Sequence, residues 1–189
     1  MRITEALEVI APHLGDAACI HSNGYMSRAA YGVRDTAGCF YMIGSMGLAS
    51  SIGLGIALVP PRQRVVVFDG DGNVLMNMNT LARIAAAAPR NLVHLCFDNG
   101  AHASTGGQAT ISGTVHLDEV ARAAGYRWSG RVDDAGALAD VVPRVMAQDG
   151  PSFLLMKIAL GPAGAPGPRI PHTPEQMTHR LRRALGAEA

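Results

Sequence analysis

Charge is scarce in this chain of 189 residues: 16% are Asp, Glu, Lys or Arg, against 48% hydrophobic. A chain that stays disordered has the opposite balance, so a packed globule is expected. The 16 basic and 15 acidic side chains leave a net charge of +1. No field of one sign therefore draws the protein to nucleic acid or to an anionic membrane. Lysine is almost missing, Lys157 being the only one. That leaves little scope for Schiff-base chemistry, and the Arg-for-Lys bias itself reads as codon usage. Cysteine is confined to Cys19, Cys39 and Cys96. Their odd number and wide spacing exclude a disulfide framework and a zinc knuckle. Cys19 and Cys96 lie in apolar runs and read as buried free thiols. Long apolar runs are missing too: nothing approaches the roughly 18 residues of a membrane-spanning helix. The opening MRITEALEVIAPHL is amphipathic and lacks the apolar core of a signal peptide. These absences lead to the expectation of a soluble, cytoplasmic, single domain over 1–189 that folds without disulfides or a structural metal.

What is present is an alternation of strand and helix. Ile3 to His13 reads as a helix, with Ile3, Leu7 and Ile10 on one face. Short apolar runs at Ala17–Ile20 and Phe40–Ile43 read as strands, ending in the polar turns His21-Ser22-Asn23-Gly24 and Gly44-Ser45-Met46-Gly47. Leu48 to Leu58, small and apolar with Gly53 and Gly55 inside it, is expected to be a buried helix. Arg64–Asp69, with Val65–Phe68 at its centre, and Leu92–Phe97, apolar but for His94, read as buried parallel strands. Between them Asn73 to Ala88 reads as one helix stopped by Pro89. Further on come a helix at Leu117–Ala124, a strand at Tyr126–Trp128, a helix at Asp134–Ala147 and a strand at Ser152–Leu160. A Pro/Gly-rich linker is expected near 161–171, then a terminal helix over 174–185. Such an order specifies a three-layer α/β/α fold around a mainly parallel sheet of about six strands, with ligands beyond the strands' carboxyl ends.

Two of those strand ends carry chemistry. Gly70-Asp71-Gly72-Asn73 puts a carboxylate between glycines at the head of a helix. A carboxylate there suits a hard cation such as Mg²⁺, and exposed backbone N–H groups suit phosphate. Asp98-Asn99-Gly100 closes the next strand, Asn99 lying 28 positions after Asp71. One helix and one strand between them bring the two turns side by side. Asp71 and Asn99 can then offer two side-chain oxygens to one cation, with a nearby backbone carbonyl as a third.

The stretch GDGNVLMNMNTLARIAAAAPRNLVHLCFDNG resembles the signature of thiamine diphosphate enzymes: GDG, a spacer of this length, then a pair of Asn. Asp98 stands in place of the first Asn. The resemblance implies that Asp71, Asn99 and the carbonyl of Ala101 hold Mg²⁺. It implies that Gly70, Gly72 and Asn73 frame the diphosphate, with backbone N–H bonds from Gly72 and Asn73. Gly44-Ser45-Met46-Gly47 resembles the family's G-S-[IM]-G element. There the Gly44 carbonyl accepts from the cofactor's amino group, Ser45 belongs to the same turn, and Met46 wedges beneath the cofactor. Ser22 and Asn23 stand where the family contacts diphosphate oxygens. GSMGLASSIGLGIAL and DNGAHASTGGQAT are similar to the β subunit of sulfopyruvate decarboxylases and to the matching domain of phosphonopyruvate decarboxylases. The implied activity is loss of CO₂ from a small anionic 2-oxo acid, giving an aldehyde.

Thiamine enzymes need a Glu beside the cofactor's pyrimidine ring. This chain has Glu5, Glu8, Glu119, Glu175 and Glu188, all in helical or terminal segments away from the strand-end turns. The resemblance therefore implies a partner chain carrying that Glu, in an α2β2 or larger hetero-oligomer. Two chains fit the sulfopyruvate enzymes, while Ala101-His102 fits the phosphonopyruvate ones, so the acid stays open. A carboligase subunit and a non-catalytic cofactor-binding subunit are the alternatives. A nucleotide-binding Rossmann module built on Gly53 and Gly55 is disfavoured, because both fall within a helix. His102 is the candidate for orienting substrate or moving a proton, although its segment is expected to leave the cofactor site. Ser104, Thr105, Gln108, His21 and Arg28 are weaker candidates. His94 reads as a satisfied core histidine, and Arg180–Arg183 as a solvated helix face.

Overall fold

The computed structural model describes residues 1–59, 63–161 and 167–187. Its centre is a six-stranded sheet in the order β2-β1-β3-β4-β8-β7, with every pairing parallel. The strands are β1 (Ala18–His21), β2 (Cys39–Tyr41), β3 (Val65–Gly70), β4 (Leu92–Asp98), β7 (Trp128–Val132) and β8 (Ser152–Lys157). The remaining two, β5 (Ala101–His102) and β6 (Gln108–Ala109), form a small separate hairpin.

Alternation of side chains along each strand sorts the core into two halves. Val66, Phe68, Val93, Leu95, Phe97, Leu154 and Met156 face one side. There they meet α1 (Ile3–Ile10), α2 (Tyr25–Val33) and α7 (Ala135–Ala147) through residues such as Leu7, Ile10, Ala30, Leu138 and Val142. Val65, Val67, Leu92, Cys96, Phe153 and Leu155 face the other. They meet α3 (Ala49–Leu58), α5 (Asn79–Ala87) and α6 (Leu117–Ala124) through Ala49, Ala57, Leu81, Ile84 and Leu117. Helices cover both faces, and that explains why these strands read as unbroken apolar runs. The three-layer architecture is the one the sequence specifies. No helix among the described residues is long and apolar enough to cross a membrane.

The structure differs from the sequence reading at several elements. The single helix expected from Asn73 to Ala88 is two, α4 (Asp71–Met76) and α5. Asn77 breaks it at φ −145°, ψ 53°. Its amide donates to the carbonyl of Gly47 at 3.0 Å, a tertiary bond that replaces helical continuity. Helix α3 buries Ala49, Ser50, Gly53 and Ala57 but leaves Leu48 and Leu58 exposed, so within this chain it is half covered. Strand β7 begins at Trp128, because Tyr126 is drawn into the core toward His94. Strand β8 stops at Lys157. The expected linker lies partly outside the described residues, and its part from 167 to 171 has neither helix nor strand. Helix α8 (Pro174–Ala184) is not simply solvated. Leu181 is buried and Arg180 pairs with Asp35 at 2.7 Å, holding the helix to the β2 edge.

The chain runs from β1 outward to β2 and then returns past β1 to β3. The order reverses between β1 and β3. In open parallel sheets the crevice beyond the strand ends at such a reversal is where ligands bind.

Candidate cofactor and metal site

A cleft with a volume of ≈ 130 Å³ opens at that reversal. Its lining comes from four strand ends. Ser22 and Asn23 follow β1; Gly70 ends β3, and Asp71, Gly72 and Asn73 come after it; Asn99 follows β4; Ala101 and His102 form β5. Met46 enters from the turn after β2. Gly44 and Ser45 do not line the cleft, and belong to the turn that delivers Met46. Ser45 has φ +54° and Gly47 φ +90°, a reversal that glycine accepts readily. Two side chains pin this turn to α4. Asn73 Oδ1 accepts from the Gly47 N–H at 2.9 Å, and Asn77 donates to the Gly47 carbonyl.

Asp71 is 2% exposed. Burial pushes its carboxyl above the usual range and the nearby Asp98 charge adds to this, while the hydroxyl of Thr110 bonds the charged form and opposes it. Thr110 Oγ1 donates to Asp71 Oδ2, and the Thr110 backbone is tied to the Gly100 carbonyl at 2.9 Å. Asn99 Oδ1 accepts from the Ala101 N–H at 2.9 Å, fixing the turn that presents the Ala101 carbonyl. A carboxylate, an amide oxygen and a backbone carbonyl are hard donors suited to Mg²⁺. A buried carboxylate of this kind gains from a cation beside it. Gly72 is a tight spot: a Cβ there would lie 2.7 Å from the His102 ring and 3.1 Å from Met46 Cε. A side chain there would have to displace the His102 ring and Met46. The donor set and this glycine fit Mg²⁺ and a diphosphate.

The segment after Asn99 does not leave the site, and here the structure corrects the sequence reading. It doubles back as the β5–β6 hairpin, bringing His102, Ser104 and Thr105 to the cleft wall. Two-residue strands this short carry no periodicity that a sequence could show. Gln108, His21 and Arg28 are absent from the lining. His94 is the core histidine expected, 3.3 Å from Asp69 Oδ2 and 3.2 Å from Tyr126 Oη. Asp69 Oδ1 also accepts from the Gly70 N–H, so this buried network ends at the GDG turn. None of the described glutamates lines the cleft, and Glu188 lies outside the described residues.

Sequence reasoning missed what holds Asn99 in place. The carboxylate of Asp98 accepts from the Gly100 N–H at 3.0 Å and from Ser112 Oγ at 2.8 Å. Its other oxygen meets Lys157 Nζ at 2.8 Å. Asp98 and Lys157 are register partners on β4 and β8. The one available signal was a lone Lys in an otherwise apolar strand.

Comparison with known proteins agrees with this fold. The profile described as "Thiamine pyrophosphate enzyme, C-terminal TPP binding domain" matches residues 21–156. A phosphonopyruvate decarboxylase of Streptomyces viridochromogenes is 43% identical over 96% of this chain and 45% of its own length. The chain thus spans about half the length of that curated relative. Subunit beta of a sulfopyruvate decarboxylase from Methanococcus maripaludis is 34% identical over 96% of both chains. A thiamine diphosphate-dependent 4-hydroxybenzoylformate decarboxylase of Rhodococcus jostii shares the fold with TM-score 0.70, at 13% identity over 84% of this chain and 33% of that one. The chain belongs to the thiamine pyrophosphate enzymes, as a C-terminal TPP-binding domain of that family.

Proposed function

We propose that this chain is the diphosphate- and metal-binding subunit of a two-chain decarboxylase for a small anionic 2-oxo acid, sulfopyruvate-like or phosphonopyruvate-like. The observation that carries the reading is the convergence of Asp71, Asn99, Ala101 and Met46 on one cleft at the sheet's reversal point. Asp71, Asn99 and the Ala101 carbonyl hold Mg²⁺ in this reading. The backbone of Gly72 and Asn73, with Ser22 and Asn23, binds the diphosphate. Gly44, Ser45 and Met46 shape the turn that meets the rest of the cofactor. Bound thiamine diphosphate supplies an electron sink that lets the bond to a carboxylate break. In this reading His102, packed on Gly72 at the cleft wall, orients the acid or moves a proton.

A partner fits two observations. No described glutamate reaches the cleft. Around the turn that delivers Met46, Ile43 is 73%, Leu48 44% and Met76 63% exposed, apolar area of the kind that marks an interaction surface. The M. maripaludis relative, matched end to end, is itself named a beta subunit. Three free cysteines accord with a reducing, cytoplasmic setting.

The test is to co-produce the chain with a pyrimidine-domain chain bearing the activating Glu, and to supply thiamine diphosphate, Mg²⁺ and a panel of 2-oxo acids. Aldehyde and CO₂ are expected from the pair and from neither chain alone. Turnover by this chain alone would refute the two-chain reading, and a hydroxyketone product would make it a carboligase.

A further inference from the structure

The opposite face of β1 and β2, turned toward α1 and α2, carries a cluster that the cofactor cleft does not use. Cys19 and His21 stand two residues apart on β1, so their side chains share a face. Cys39 on β2 is the register partner of Cys19. The two sulfurs and a ring nitrogen of His21 lie within 4.8 Å of one another, all three residues buried. No other such group occurs among the described residues.

His21 is the telling member. It is 2% exposed, and neither Nδ1 nor Nε2 finds a hydrogen-bond partner among the described residues. Its ring is fixed between Tyr41 and Phe68, with centroids 4.8 and 4.4 Å away. An orphaned buried polar group costs about 1–3 kcal/mol, and a neutral imidazole nitrogen is the commonest protein ligand for a metal. A cavity of ≈ 10 Å³ lies against His21, Cys39, Phe68 and Arg34. Arg34 brings a positive charge to it, with Nη1 buried and also unpartnered.

We propose that Cys19, His21 and Cys39 form a buried three-ligand site for a soft metal ion of the Cu⁺ or Zn²⁺ class. Thiolate and imidazole select such ions. Two features favour Cu⁺. Zinc sites usually have four ligands, and the cluster offers three. Two thiolates beside one guanidinium leave a single negative charge, which a monovalent ion neutralises. Thr36 Oγ1, 3.4 Å from Cys39 Sγ, is placed to donate to a thiolate as an outer-shell partner.

The full chain, reduced under anaerobic conditions, would be titrated separately with Cu⁺, with Zn²⁺ and with Co²⁺ as the coloured stand-in for Zn²⁺, each against a competing chelator. Stoichiometric binding is expected, with thiolate-to-metal charge-transfer absorption for Co²⁺. X-ray absorption should find two sulfurs and one imidazole nitrogen around the bound ion. Cys19→Ser and Cys39→Ser should each weaken binding by on the order of 100-fold or more. Cys96→Ser, in the other half of the core, should not. Should a cysteine variant fail to fold, the X-ray absorption of the unmodified chain decides alone. A sulfur-free shell, no binding by the folded chain, equal binding by the Cys19→Ser variant, or a Cys19–Cys39 disulfide in place of metal would overturn the proposal.

Discussion

Asp71 combines two opposed demands at a single residue. Burial disfavours its charge, yet a charged oxygen is what a hard cation wants. Asp71→Asn keeps an acceptor for Thr110 and removes the buried charge. The metal-free variant should therefore melt at or slightly above the unsubstituted chain, while Mg²⁺-dependent thiamine diphosphate binding falls by on the order of 100-fold. Thermal melts and calorimetric titration on the same samples check both halves. A variant that melts lower and still binds would refute the assignment. Gly72 is the other decisive residue. An alanine methyl would press on the His102 ring and Met46 Cε. Gly72→Ala should cost about 1–3 kcal/mol of stability and displace His102, read as a lowered midpoint and weakened cofactor binding. The motif GDG was legible in the sequence. The packing of His102 on its second glycine was not, because it depends on a hairpin with no sequence signature.

Elements reveal what the small residues and the lone lysine are for. Gly53 and Gly55 look alike in the sequence, but a Cβ at Gly53 would lie 2.3 Å from Val67 Cγ2 while Gly55 faces open space. Gly53→Ala should push α3 off β3 and cost about 1–3 kcal/mol. Gly55→Ala should stabilise by about 0.5–1 kcal/mol. Denaturant melts of the two variants in parallel check the contrast. Across β4 and β8, Lys157→Met would strand the buried Asp98 carboxylate. Loss of one partner in a fully buried pair costs about 3–5 kcal/mol, and the Lys157 side chain, 31% exposed, puts this pair below that range. The double variant Asp98→Asn/Lys157→Met should recover most of the loss, as a double-mutant cycle would show. Strand order explains why this pair was hidden: residues 59 positions apart meet only once β8 lies beside β4.

At the scale of the whole molecule, ligand and partner act on stability by mass action. Thiamine diphosphate with Mg²⁺ at about 100 times its dissociation constant should add about 2.7 kcal/mol, a rise in midpoint of roughly 5–10 °C for a chain of this size. A chelator should abolish it. A chain that shows no shift with saturating cofactor, alone and with its partner, would contradict the proposed site. Ile43→Asp should leave the midpoint of the chain alone unchanged, since Ile43 is 73% exposed, but should prevent co-purification with the partner. The sequence by itself determined the alternation of strand and helix, the parallel sheet, and the Asp71 and Asn99 turns, because hydrophobic period, turn chemistry and motif spacing are local properties. Tertiary structure alone decided the break at Asn77, the return of the 101–109 hairpin, the Asp98–Lys157 pair and the meeting of Cys19, His21 and Cys39. The pair and the cluster rest on which strand lies beside which, the break at Asn77 on a bond to the distant Gly47 carbonyl, and the course of the hairpin on the packing of His102 against Gly72; these are non-local outcomes of packing that override local propensity.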